Sequence, residues 1–414
     1  MKKTKKRLRI QPFFLWVAGL SLVVASGAAA GIIVFVKGLG ITNLTDLVPW
    51  GLWITIDLSA IAMSAGAFML CAAVYLLGLK DFQPVARTAT FIGLIGYSMA
   101  VLTLMLDIGR PDRFWHSLVF WNLHSPLWEV TMCITLYFSV LVLEALPIFG
   151  HTAWMQRRLP RLANLMTSVH HYAPYLAMAG LGLSMLHQSS LGATYGVLKA
   201  RPIWYRPDLS VLFMLSAMTG GPALTVLVSR LAARLSPRAN VNTALLDRLV
   251  IFIGWTLVAY LYFRFWDALS MSYNYLPGRS ESLDMLTKGQ LSFNFWVGEI
   301  LLGALIPAII LLAPRLRRQL PLQLLALALV VGGVAAYRWD TNMAGQLVVL
   351  TYLPQEISAR YTTYIPSLIE IIAGAGVVAY GALAVSLGVR YLNLVDHRCA
   401  EEAVEALPLP AAAD

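Results

Sequence analysis

Charge is scarce in this chain. Of its 414 residues, 13% are Asp, Glu, Lys or Arg, about half the ~25% of an ordinary soluble domain. Cysteine is scarcer still, with Cys71, Cys133 and Cys399 alone. No Cys-x-x-Cys pair occurs, so the chain cannot by itself hold an iron–sulfur cluster or a Cys-rich zinc site. Cys71 and Cys133 lie in apolar runs and read as small packing residues. No phosphate-binding glycine loop and no dinucleotide fingerprint is present, which leaves neither ATP-driven transport nor nicotinamide chemistry signalled. The net charge of +10 does not point to nucleic acid, because the basic residues sit in short segments between apolar runs.

What the chain has in abundance is apolar sequence, 58% of it. The runs are long enough to cross a bilayer as helices, which need about 20 residues each. Ten spans are expected, near 13–36, 51–78, 89–108, 126–147, 165–188, 209–230, 246–266, 294–313, 321–337 and 365–390. Their length, and the lack of strand-like alternation within them, predicts an all-α polytopic membrane protein. The connections 188–208, 267–293 and 338–364 carry Pro, Gly and Tyr and read as folded loops. The basic segment Met1–Arg9 precedes an apolar run that is long for a signal peptide. Ala28-Ala-Ala30 is a possible cleavage site, but a retained first span gives the even helix count that the loop charges support.

Lys and Arg set the orientation. With a cytoplasmic N-terminus, 20 of the 31 basic residues fall on the cytoplasmic side, including Lys80, Arg87, Arg238 and Arg398. Both termini are then cytoplasmic in a multi-pass protein of the bacterial inner membrane. The three long connections face outward. The acids follow a pattern in this frame. Asp57, Asp107, Glu129, Asp267, Glu299 and Glu370 lie at or just inside the outer boundary, together with His187. The inner half offers Glu144 and, near the start of the fifth span, His170 and His171. Ionisable residues at membrane depth are costly and are functional candidates by default. The most polar stretch runs from Asp107-Ile-Gly-Arg110 through His116 to Asn122-Leu-His-Ser-Pro-Leu-Trp-Glu129. Glu129 falls in the first turn of a helix opening at Pro126, where the helix dipole favours its charge. Asp57 lies deeper, beside the small-residue run 59–67 that permits close helix approach. Asp107, Asp267 and Glu370 also fit ordinary interfacial positions, and Asp267 fits a local pair with Arg264 three residues earlier. The tryptophans gathered at this boundary fit an aromatic belt.

Haem is disfavoured. His170 and His187 are 17 residues apart on one helix, roughly 25 Å, and no other span offers a histidine at matching depth. No metal site is expected. What remains is proton-coupled chemistry on an amphipathic molecule at the outer interface, and a quinone fits, with carboxylates and histidine serving its oxygens and protons. Its electrons then come from another subunit's cofactor. A proton pump or transporter without redox work is the alternative, although no paired inverted repeat supports it. A b-type cytochrome anchor and a purely structural anchor are further alternatives.

Several stretches resemble the NrfD/polysulfide reductase membrane subunits. They are Pro49-Trp-Gly-Leu-Trp-Ile-Thr-Ile-Asp57, Gly96-Tyr-Ser98 through Arg110, Asn122 through Glu129, and Leu186-His-Gln-Ser-Ser-Leu-Gly192. The similarity is greatest to the ten-helix branch exemplified by the membrane subunit of quinone-reducing nickel–iron hydrogenase (HybB-like). It spans nearly the whole chain. It implies one integral membrane domain over 1–414, with four-helix bundles at about 51–188 and 209–337 and a cytoplasmic tail at 391–414. It implies exchangeable menaquinone or ubiquinone, bound near the outer face by Asp57, His187, His124, Asp107 and Arg110. Glu129 is expected to exchange protons, with Glu144 and His170 as an inner-side route. The partners implied are a periplasmic ferredoxin-like iron–sulfur subunit and its catalytic subunits, of hydrogenase or similar type.

Overall fold

The computed structural model describes residues 12–76, 82–235, 241–353, 356–392 and 394–395, with side chains of the second helix described to residue 70. The basic N-terminal segment, the Cys71 side chain, Lys80, Arg238, His397, Arg398, Cys399 and nearly all of the 391–414 tail lie outside the described residues.

Ten long helices follow one another: α1 Pro12–Lys37, α2 Leu52–Leu76, α3 Gln83–Asp107, α4 Pro126–Gly150 and α5 Ala173–Gly196. They continue as α6 Asp208–Leu235, α7 Thr243–Ser272, α8 Asn294–Leu312, α9 Leu320–Ala344 and α10 Leu368–Tyr391. Among the described residues, nine of these are long and apolar enough to cross a membrane, and the chain is an all-α polytopic membrane protein. The helix that falls short is α5. Its length suffices, but Ser184, His187, Gln188, Ser189, Ser190 and Thr194 dilute its hydropathy. These polar residues are mostly turned inward, which is why a helix of this composition is tolerated at membrane depth.

Local chemistry explains the helix ends. Ser125 caps α4 by accepting from the Trp128 amide, and Pro126 occupies the first turn, where no amide donor is needed. Ser367 and Glu370 form a capping box on α10. The chain leaves α3 through Gly109 at φ 72°, a backbone conformation that a side chain disfavours. α8 opens as twelve residues of π-helix, Asn294–Leu305, an arrangement often found near functional positions.

Helix α2 is the hub and packs against α3, α5, α6 and α9. Its crossing with α6 is so close that a Cβ on Gly221 would collide with the backbone of Gly66 and Ala67. α4 closes against α3 and α5, while α7, α8 and α9 gather beside α6. α1 and α10 pair on the outside, with Gly27 against Gly376. At one end the connections interlock. Arg201 donates to the carbonyl of Leu47 at 2.9 Å and to that of Gly345 at 3.3 Å, and Asn43 donates to the carbonyl of Ile365 at 2.9 Å.

Two expectations need correction. The connections are shorter than hydropathy suggested, because three helices continue through polar sequence to Gly196, Ser272 and Ala344. His187 therefore lies inside α5 rather than at its end, and Arg338 is helical. The remaining 338–364 segment contains an antiparallel hairpin, β1 Val348–Leu353 with β2 Glu356–Tyr361, pairing Val348 with Tyr361.

Candidate functional site

The most enclosed histidine is His187, with no exposed surface. Helix α5 turns His187, Gln188 and Ser190 into the core while Gly192 lets it approach the start of α6. From α3, the Tyr97 hydroxyl meets His187 Nδ1 in a hydrogen bond. The Tyr97 ring is itself held edge-on by Tyr137 at 4.9 Å and stacked by Phe138 at 6.1 Å. His187 Nε2 has no partner within the protein. When Tyr97 donates, the imidazole carries its proton on Nε2 and presents a donor to whatever lies beside it.

Asp57 on α2 is buried, and its Oδ1 also lacks a partner. It acts electrostatically on Tyr97 and on Tyr195, and Asp107 acts on it in turn. Asp107, half-buried at the end of α3, has an unpartnered Oδ1 of its own. Nearby on α5, Gln188 Nε2 and Ser190 Oγ are further buried polar atoms without partners. Most buried polar groups in proteins are hydrogen-bonded, and an orphan costs on the order of 1–3 kcal/mol. Several such orphans occur here, drawn from α2, α3 and α5.

Other expected site residues stand apart from this group. Glu129 is on the exposed face of α4 in its first turn, where its charge acts on Cys133. His124 is exposed in the preceding loop, its backbone amide donating to Asn122 Oδ1 at 3.3 Å. Arg110 does not frame Asp107. Having left the helix at Gly109, it forks onto Asp112 with two 3.0 Å bonds, which hold the Asp112 carboxyl below its ordinary range. Glu144 is half-buried toward the other end of α4 with an unpartnered Oε1, and His170 is exposed in a single turn before α5. Arg87 acts on both His170 and His151.

A second polar system, largely unanticipated, fills the other half of the molecule. Arg264 donates to Asp267 at 2.6 Å and to Glu299 at 2.7 and 3.3 Å. Tyr260 also donates to Glu299 at 2.8 Å, and Arg206 reaches Asp267 at 2.7 Å. The local Arg264–Asp267 pair is thus present, but as part of a buried network. Arg338, Asp340 and Asn342 follow on α9, all with no exposed surface. Asn342 donates to the Trp50 carbonyl at 3.0 Å, and Asn294 donates to Asp340 Oδ1 at 2.8 Å. The sequence held one signal for them. Arg338 and Asn342 are four residues apart, one face of a continuing helix. Glu370 is fully engaged by Tyr364, Ser367 and the Asn43 amide, so its role is to tie α10 to the loops.

Among the described residues, no group of three or more His, Cys, Asp or Glu is placed to hold a metal ion. His187 is the one buried histidine among them.

The sequence profile described as polysulphide reductase, NrfD, matches residues 40–350. The chain is 34% identical to the menaquinone reductase integral membrane subunit of Nitratidesulfovibrio vulgaris, over 94% of this chain and 93% of that protein. It is 24% identical to the Hdr-like menaquinol oxidoreductase integral membrane subunit of Archaeoglobus fulgidus, over 93% and 95%. It is 26% identical to the probable Ni/Fe-hydrogenase 2 b-type cytochrome subunit of Escherichia coli, over 87% of each.

Proposed function

This chain belongs to the polysulphide reductase NrfD family, and from that premise we propose that it is the quinone-reacting membrane subunit of a respiratory oxidoreductase complex. Its relatives are membrane subunits of such complexes, and two of them are named for menaquinone or menaquinol. Menaquinone is therefore the favoured substrate, with ubiquinone the alternative.

One observation carries the reading: the unpartnered buried atoms of Asp57, His187 and Gln188. They fit a quinone ring. His187 Nε2–H and Gln188 Nε2 are donors for a carbonyl oxygen, and Asp57 is a carboxylate able to take or give the accompanying proton. The quinone supplies two-electron chemistry when bound. The chain's residues orient the ring, exclude water and hold protons. Asp107 acts on Asp57 as a like charge, favouring one shared proton between them. Glu129, on the exposed face at the mouth of α4, exchanges protons with the surroundings, while Arg110 and His124 belong to the covering loop. Glu144 and His170 form an inner-side route.

In this reading the helices over 51–188 form one bundle and those over 209–337 a second. Both termini are cytoplasmic in a bacterial inner membrane, and the interlocked connections face the periplasm. A ferredoxin-like iron–sulfur subunit, with its catalytic partner, supplies or removes electrons there. The haem implied by the name of the hydrogenase relative does not fit the described residues, among which no second buried histidine accompanies His187.

Asp57→Asn in the assembled complex tests the reading. The expected result is an intact complex with quinone-linked electron transfer reduced about 10²-fold, the usual scale for a lost proton-transfer group. Wild-type turnover in the assembled variant would sink the assignment.

A further inference from the structure

Between the His187 group and the Glu299 network stands Arg338. It has no exposed surface. Its Nη2 donates to Gln188 Oε1 at 3.2 Å, to the Phe213 carbonyl at 3.1 Å and to Ser216 Oγ at 3.0 Å. The guanidinium carbon sits 3.6 Å from the Phe213 ring centroid. Nε and Nη1 have no partner. Among the described residues, no carboxylate comes within ion-pairing distance of it, whereas buried Arg264 is paired with two. Among the described residues Arg338 is therefore a buried cation without a carboxylate partner, with two unpartnered nitrogens, and bonded to the residue adjacent to His187.

Such a charge is expensive to bury, and a guanidinium cannot relieve the cost by losing its proton. A ring face and carbonyl oxygens repay part of it. What is missing is negative charge. On its other side, Ser216, Thr219, Tyr260, Glu299 and Tyr337 line a cavity of about 10 Å³, close to the space one water needs. The Tyr337 hydroxyl there is also unpartnered. Arg338's partner Ser216 and the Glu299 carboxylate both border that cavity.

We propose that Arg338 is a positioning residue of the quinone site. It fixes the Gln188 side-chain amide, and its unpaired charge favours the negative charge that reduction places on the ring oxygens. The inference rests on the quinone reading of the His187 end. Fixed charge aimed at developing charge, in a water-poor site, acts without reorganisation. Because Arg338 holds Gln188 through the Oε1 atom, it also leaves Nε2 free to donate toward the ring.

The test uses the full-length chain in its native membrane complex, with a short-chain naphthoquinone or its quinol as probe. Arg338→Gln is expected to lower kcat about 10²-fold, on the scale of a lost oxyanion donor, with KM changed less than about threefold. It should also lower the reduction potential of the bound ring. Arg338→Lys should restore part of both. Where Arg338→Gln does not assemble, the Ser216 pair decides. Ser216→Asp places a carboxylate against Arg338, neutralises it and should reproduce the kcat loss, while Ser216→Ala keeps the charge and should remain near wild type. Wild-type kcat in assembled Arg338→Gln or Ser216→Asp overturns the inference alone. A wild-type complex without quinone-linked turnover overturns the quinone reading and this inference with it.

Discussion

Removing one hydroxyl from the core should reveal how the site histidine is held. In Tyr97→Phe the ring keeps its place, because its edge contact with Tyr137 and its stack on Phe138 do not involve the oxygen. What is lost is the bond to His187 Nδ1. His187 is fully enclosed, so water cannot replace that partner. Leaving one buried polar group unsatisfied costs about 1–3 kcal/mol of stability. The larger effect is on chemistry. Without Tyr97 the imidazole proton is no longer directed to one nitrogen, and the ring loses its in-plane anchor. A quinone-linked rate about 10- to 100-fold lower is expected, since second-layer partners of functional histidines act at that scale. His187→Ala should cost more, up to the ~10²–10⁴ of a lost acid–base group. The double variant should lose no more than His187→Ala alone, because Tyr97 acts only through the ring. The assay is quinone-linked turnover in membranes, with complex assembly checked by co-purification. Additive losses, or a Tyr97→Phe complex at full rate, would refute the orienting role.

Two further outcomes follow from the packing. Arg264→Met removes the shared partner of Glu299 and Asp267, both buried, and should destabilise the protein by about 3–5 kcal/mol. Unfolding in detergent should show a large loss, and less of one when Glu299→Gln accompanies it. Gly221→Ala should weaken the crossing of α2 and α6, because the added methyl meets backbone rather than a movable side chain. A fall in assembled complex is expected, and unchanged yield and thermal stability would contradict the packing argument.

The legible part of the site was the part whose cost shows in one dimension. Asp57 and His187 stand out because ionisable residues in apolar runs are costly, and both are buried with an atom that has no partner within the protein. Glu129 looked equally exceptional by position, yet its side chain turns to the exposed face of α4. Depth along a helix can be counted from sequence, but the direction of a side chain around the helix depends on which neighbour packs there. Arg110 illustrates the same limit. Its spacing from Asp107 is that of a helical pair, and the turn at Gly109 sends it to Asp112 instead. Arg338 was missed because polar residues ended the apolar count before the helix itself ended at Ala344.

By itself the sequence determined the class of molecule. Long apolar runs must become helices in a bilayer, since every backbone group has to be satisfied within its own segment. The few cysteines and the lack of nucleotide-binding motifs gave no sign of an iron–sulfur cluster, ATP or nicotinamide chemistry in this chain. Only the tertiary structure decided which polar groups are spent on each other and which are left free. Glu299, Asp267 and Glu370 are consumed by Arg264, Arg206, Tyr260, Tyr364 and Ser367. Asp57, His187, Gln188 and Arg338 keep unpartnered atoms. That division depends on contacts between helices far apart in the chain, made at distances of a few ångströms, and no spacing along one helix encodes it.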